Sequence, residues 1–358
     1  MSAQGALSPA ALPVLLTART IVTRDRTRRR RRGALVTGGL GLVAGALFTA
    51  TMLAGSFAVS PLDVLASLLH VTHDPAVDFV VWELRLPVAV TALGVGIALG
   101  IAGWIFQTLL RNPLASPDFV GVSSGASLAS VAAIILFGAG GLAVSGASLV
   151  GALVSCGLVY VLAWRDGIVG YRFILVGIGI SQFMLSLVGY LLARAEIYDA
   201  REAMAWLVGS VGFAETAEIA ALLVAVVVSL PIAWLLGRPL RALELGDDAA
   251  LALGARVEWS RLGLIAVSIV LVAVATAATG PLAFVALIAG PVAMRLLGPA
   301  AGGLLAAGLV GAGLVLAADL VASHLLPVAL PTGVVTGLVG APYLVWLLAT
   351  TNREGRGG

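Results

Sequence analysis

The sequence predicts an all-α polytopic membrane protein with about ten transmembrane helices. Three observations carry that expectation. The 358 residues are 60% hydrophobic and only 11% charged, with a mean hydropathy of +1.08, whereas soluble domains carry about a quarter charged residues. The apolar runs are long and continuous, without the alternation a lipid-facing barrel strand requires, so helices must satisfy the backbone inside the hydrocarbon. Finally, the basic residues fall into segments that alternate along the chain, as the positive-inside rule requires.

A span needs about 20 apolar residues. Ten runs qualify, at 34–55, 87–109, 118–137, 142–164, 172–194, 215–237, 260–279, 283–297, 301–322 and 333–350; the eighth is short. Residues 1–33 precede them as a basic tail ending in TRDRTRRRRRG, with eight arginines. This tail is expected to hold the N-terminus in the cytoplasm and to touch anionic headgroups. Its place directly before an apolar run argues against a nucleic-acid arm. The run that follows is too long for a signal peptide and lacks a clear cleavage site. With ten spans and the N-terminus inside, 18 of the 21 basic residues are cytoplasmic and only Arg85, Arg194 and Arg201 lie outside. One span more or fewer would scramble that bias. Both termini, including the tail 351–358, are therefore expected in the cytoplasm of a bacterial cell, with 34–350 forming the permeation domain.

Between the third and fourth spans, GAGG at 138–141 reads as a tight helix–helix turn. The outer segments 56–86 and 195–215 carry acids. The largest inner segment, 238–261, is too short for a catalytic domain and reads as two short helices broken by Gly246 and Gly254. Small residues recur at 94–103, 177–181 and 302–313, where they let helix backbones approach closely in lipid.

The segment FQTLLRNPLASPDFVGVSSGAS, 106–127, breaks the apolar pattern. Pro113 and Pro117 disfavour helix just before them, and Ser116 with Asp118 can cap the third span. NPLASPDFVG at 112–121 is echoed by GPLAFVA at 280–286 on the opposite face, as an inverted-topology repeat predicts.

Little points to enzyme chemistry. Cys156 is the single cysteine, which rules out an internal disulfide, and the three histidines are scattered; no metal or catalytic cluster is expected. The chain lacks the phosphate-binding pattern G-x-x-x-x-G-K-[ST], so it binds no nucleotide that way. An ion-coupled transporter would call for several intramembrane acids, and only Asp319 lies well inside a span.

The residues that carry a family likeness are ordered along the chain. They are ELRLP at 83–87, GVGIALGIAG at 94–103, FQTLLRNPLASPDFVG at 106–121, LGDDAALALG at 245–254, GPLAFVALIAGP at 280–291, and LPTGVVTGLVGAPYLVWLL at 330–348. This pattern strongly resembles the FecCD family of bacterial ABC-importer permeases, from about residue 34 to 350. The resemblance implies a type II ABC importer permease fold pairing with a second permease subunit, identical or related. It also implies two ATP-binding cassette subunits below, which use ATP and Mg, and a solute-binding protein above. This chain itself binds no cofactor and no nucleic acid. Ferric siderophore is the expected cargo, with haem and cobalamin as alternatives.

Residue by residue, the resemblance assigns Leu245, Gly246, Ala249, Leu253 and Gly254 to ATPase coupling. It makes Gln107, Arg111, Asn112 and Pro113 an inner-face connector. Arg85 is the better remaining candidate for binding-protein docking, because Val88, Val292 and Ser323 stand where the family pattern has basic residues. Gln182 and Asp319 are expected along the translocation path or in helix–helix hydrogen bonds.

Overall fold

The computed structural model describes residues 11–71, 74–164, 170–243, 257–298 and 303–354. Ten apolar helices are present among them, seven long enough to cross a membrane and three shorter. α1 (Ala11–Leu53) is followed by two short helices, α2 (Pro61–Leu68) and α3 (Pro75–Phe79). α3 runs on through a π-helical segment, Val80–Arg85, into α4 (Leu86–Leu110). α5 (Val122–Phe137), α6 (Leu142–Ala163) and α7 (Gly170–Arg194) complete the first half. α8 (Ile197–Val208) is short, and α9 (Thr216–Leu243), α10 (Val257–Thr279), α11 (Val285–Leu297), α12 (Leu304–Leu320) and α13 (Thr332–Glu354) follow.

Local chemistry sets several boundaries. Ser60 precedes Pro61 and Asp74 precedes Pro75, and each side chain accepts a backbone N–H of the first turn. A polar N-cap followed by proline at the first helical position is the pairing that starts helices. The π segment answers to Pro87, which has no N–H and whose ring crowds the carbonyl four residues back. Leu86 N–H accordingly reaches Val81 O, one residue further than an α-helix would take it. A second π segment, Val321–Leu325, ends α12 two residues before Pro327.

α4 is the central helix, buried over most of its length and packed against α12, α11, α10 and α9. Its seam with α12 is built from glycine. A Cβ on Gly96 would lie 2.5 Å from Ala312 Cα, one on Gly100 2.2 Å from Ala307 O, and one on Gly311 2.1 Å from Gly96 O. No larger residue fits without separating the helices. α5 and α6 meet the same way, with a Cβ on Gly151 only 2.3 Å from Gly125 O. The small residues at 94–103 and 302–313 thus pack as expected. Within 177–181, by contrast, Gly179 has no atom within 4 Å of where its Cβ would be.

α1 departs from the sequence reading. The arginine run, expected as a tail before a helix starting near residue 34, is helical. Arginine is a good helix former, no proline interrupts residues 14–53, and Asp25 pairs with Arg29 at 2.7 Å one turn on. The helix of 43 residues is about 65 Å long at 1.5 Å per residue.

Candidate functional site

Two connectors shape the interior, and both join a long helix to a short one. α10 lies against α4 with Ser268 Oγ donating to Ala102 O at 3.0 Å. It then climbs 11 residues to Thr279, about 16 Å at the helical rise. The chain nevertheless returns to the same depth by Ala286, whose carbonyl would be 1.8 Å from a Cβ on Gly103. Residues 280–284 make that descent in non-helical conformation. α11 therefore begins well inside the bundle. Leu282 and Val285 are buried there, as irregular backbone at membrane depth requires.

The connector after α4 does the same from the opposite end. Gly125 of α5 sits beside Gly151 of α6, and α6 continues 12 residues to Ala163, about 18 Å. α5 starts at Val122, about 14 Å short of that end. Two long-helix, connector, short-helix units of opposite direction thus match the sequence echo between 112–121 and 280–286.

The first connector is held residue by residue. Arg111 closes α4 in the left-handed region at φ 49. Asn112 N–H donates to Gln107 O at 3.1 Å, and Asn112 Oδ1 accepts from Leu114 N–H at 2.9 Å, a side-chain turn that directs the chain into Pro113. Gln107 is buried, and its Nε2 donates to Leu287 O at 3.0 Å and Ala286 O at 3.4 Å. It thereby ties α4 to the first turn of α11, joining one connector to the other.

Ser116 does not cap α5 as expected. It caps a 3-10 turn, Pro117–Val120, and Gly121 at φ 85 opens α5 instead. Asp118 receives Ser116 Oγ at 2.9 Å and Ser123 Oγ at 2.5 Å, so its carboxylate braces the turn.

The second connector holds a residue that sequence reasoning passed over. Phe284 has φ 67, an outlier for a bulky side chain. Its Cβ would lie 2.2 Å from a Cβ on Gly340 of α13, so a glycine makes room for it. Gly280, at φ 71, lies against Trp206 O of α8, and Ser210 N–H donates to Thr279 O at 2.8 Å. The only signal in the sequence was that GPLAF repeats the NPLASPDF theme.

Arg85 is 7% exposed. Its Nη1 donates to Met52 O at 2.9 Å and Leu53 O at 3.4 Å, and its Nη2 to Phe57 O at 2.5 Å. Its guanidinium fastens the C-terminal end of α1, and that burial argues against direct contact with a docked protein. Arg194 at the end of α7 and Arg201 of α8 are exposed. Asp319 is also buried. It accepts from Thr332 Oγ1 at 3.1 Å and Ser323 Oγ at 3.5 Å, while Val211 N–H donates to Thr332 Oγ1 at 3.4 Å. The carboxylate therefore joins α12 to the start of α13 and to the turn after α8. Gln182 is exposed on α7, beside Ile178 and Phe183 at 41% and 65% exposure. The coupling residues Leu245, Gly246, Ala249, Leu253 and Gly254 lie outside the described residues.

Comparison with known proteins agrees with this architecture. The fold superposes on that of a metal-chelate type ABC transporter in an inward-facing conformation, with a TM-score of 0.77 and 27% identity over 88% of this chain and 99% of that one. An all-helical apolar bundle of this shape is a multi-pass membrane transport permease. The chain belongs to the FecCD transport family, whose model matches residues 42–350. The ferric enterobactin transport system permease protein FepG of Escherichia coli K12 is 43% identical over 78% of this chain and 85% of its own length. The achromobactin transport system permease protein CbrC of Dickeya dadantii is 38% identical over 86% and 89%. The iron(3+)-hydroxamate import system permease protein FhuG of Bacillus subtilis is 35% identical over 77% and 85%.

Proposed function

We propose that this chain is a permease subunit of an ATP-driven importer for ferric siderophores. The observation that supports it most is the cargo of the relatives. Ferric enterobactin, achromobactin and iron(3+)-hydroxamate systems differ in chelator but share chelated iron as solute.

The working assembly contains a second permease subunit, as the two ferric enterobactin permease proteins FepG and FepD suggest for that system. α7 supplies much of the facing surface. It leaves Ile178, Phe183, Leu187 and Tyr190 exposed around a mid-helix Gln182, and a polar side chain at that depth belongs in a protein interior or a water-filled path, not in lipid. Two ATP-binding cassette subunits hydrolyse ATP with Mg and receive the 238–261 segment through Leu245, Gly246, Ala249, Leu253 and Gly254. A solute-binding protein docks on the outer face. Both termini are cytoplasmic, which places 18 of 21 basic residues on that side.

A packed two-state interface transmits rigid-body motion. Closure of the ATPase pair would move 238–261, hence α9 and α10, and through Ser268 and the α10–α11 connector the centre of the bundle. The test is ATP turnover by the reconstituted complex with and without binding protein loaded with a ferric catecholate. Gly254→Leu should insert normally and lose most of the stimulated turnover. Full stimulation in that variant would refute the coupling role, and no uptake of any ferric chelate would refute the cargo.

A further inference from the structure

We propose that the arginine-bearing turns of α1 just before residue 34 are a binding site for anionic phospholipid, with Arg28 and Arg31 as its phosphate ligands. The site is fixed by the length and rotation of one helix. Residues 34–53 form 20 helical positions, about 30 Å, which matches the hydrocarbon core. Arg28 and Arg31 follow within the next two turns, about 5–9 Å further out at the helical rise, the depth of the headgroup layer.

The rotation of the helix decides which way they face. Arg32 Nη2 donates to Leu296 O at the end of α11, at 3.3 Å. Val36 and Leu40, one and two turns along, pack against buried residues of α11 and α12. That stripe is the protein-facing side. Leu35 and Leu42 are 66% and 78% exposed and mark the lipid-facing side. At 100° per residue, Arg28 and Arg31 continue the Leu35–Leu42 stripe, and both are exposed.

Among the described residues, no carboxylate pairs with Arg28 or Arg31. Residues 1–33 contain one carboxylate, Asp25, and Arg29 takes it. Apolar side chains that face acyl tails therefore give way, on the same face of one rigid helix, to guanidinium groups at phosphate depth. Arg32 prevents the helix from rotating them away. Guanidinium binds phosphate oxygens bidentately, and phosphatidylglycerol or cardiolipin offers that phosphate without the cationic amine that neutralises a zwitterionic headgroup and repels arginine, so the site is selective for the anionic lipids.

The test uses the full-length protein in mixed micelles of equimolar phosphatidylglycerol and phosphatidylcholine, with retained lipid counted by mass spectrometry. Wild type should be enriched in phosphatidylglycerol. R28Q/R31Q should lower its affinity roughly 30-fold, at about fivefold for each arginine near a charged surface. Arg194→Gln with Arg201→Gln, which removes equal charge elsewhere, should leave retention unchanged. Inorganic phosphate should not displace the lipid. Raising salt from about 0.05 to about 0.5 M should release it from wild type, a result that does not depend on the variant folding. Equal retention by wild type and R28Q/R31Q overturns the proposal. So does enrichment that is indifferent to salt. So does a variant that keeps its lipid but no longer co-purifies with an ATPase, because the cluster would then face protein.

Discussion

α4 and α7 have the same length and the same number of glycines, and opposite fates. Both are 25 residues long, apolar and sprinkled with glycine. In α4 the glycines are contacts: Gly96, Gly100 and Gly103 each meet the backbone of a neighbouring helix. In α7, Gly179 and Gly189 meet nothing, and large apolar side chains stand exposed around them. Glycine in a lipid-soluble helix marks a permitted approach, and only the neighbour decides whether it is used. The difference separates a helix surrounded by neighbours of its own chain from one that packs on α5 and α6 along one side and leaves the other exposed.

The comparison breaks most sharply at Gly103. A leucine there would drive its Cβ into Ala286 O and part α4 from α11, so Gly103→Leu should abolish recovery of folded protein, read by size-exclusion of the detergent-solubilised chain. A smaller effect is expected at Gln107, the polar fastening across the same seam. Gln107→Leu leaves Leu287 O and Ala286 O without their donor, a loss of about 1–3 kcal/mol that a thermal-shift measurement would show as a lower melting temperature. At the far end of the scale, Gly179→Ala should change the isolated subunit's stability by no more than about 0.5 kcal/mol. A large loss there would show that α7 is already packed and would erase the contrast.

The ten apolar helices were legible because each carries its own signal of length and hydropathy. Pro113 and Pro117 likewise announced a shaped connector. Other features were not legible, for identifiable reasons. The start of α11 inside the bundle depends on Gly103 and Ser268, which are distant in sequence from the 280–284 segment they define. The family pattern points to Arg85 as a docking residue but carries no information on its burial. Burial became possible because the last carbonyls of α1, at Met52 and Leu53, needed donors, and Arg85 supplies them. α2 and α3 announced themselves only through Ser60-Pro61 and Asp74-Pro75, a signal readable in retrospect. Asp319 could be placed inside a span but not assigned to Thr332, thirteen residues on, until α13 was seen to begin there.

The two non-helical connectors bear on how a polar solute crosses at all. Peptide groups outside a helix must find water or protein partners wherever they sit. Because one connector descends from each face before α5 or α11 can begin, hydrogen-bonding capacity is carried inward from both sides. The insulating layer inside this subunit is therefore thinner than the lipid that surrounds it, and a hydrated chelate would travel a correspondingly shorter distance without partners.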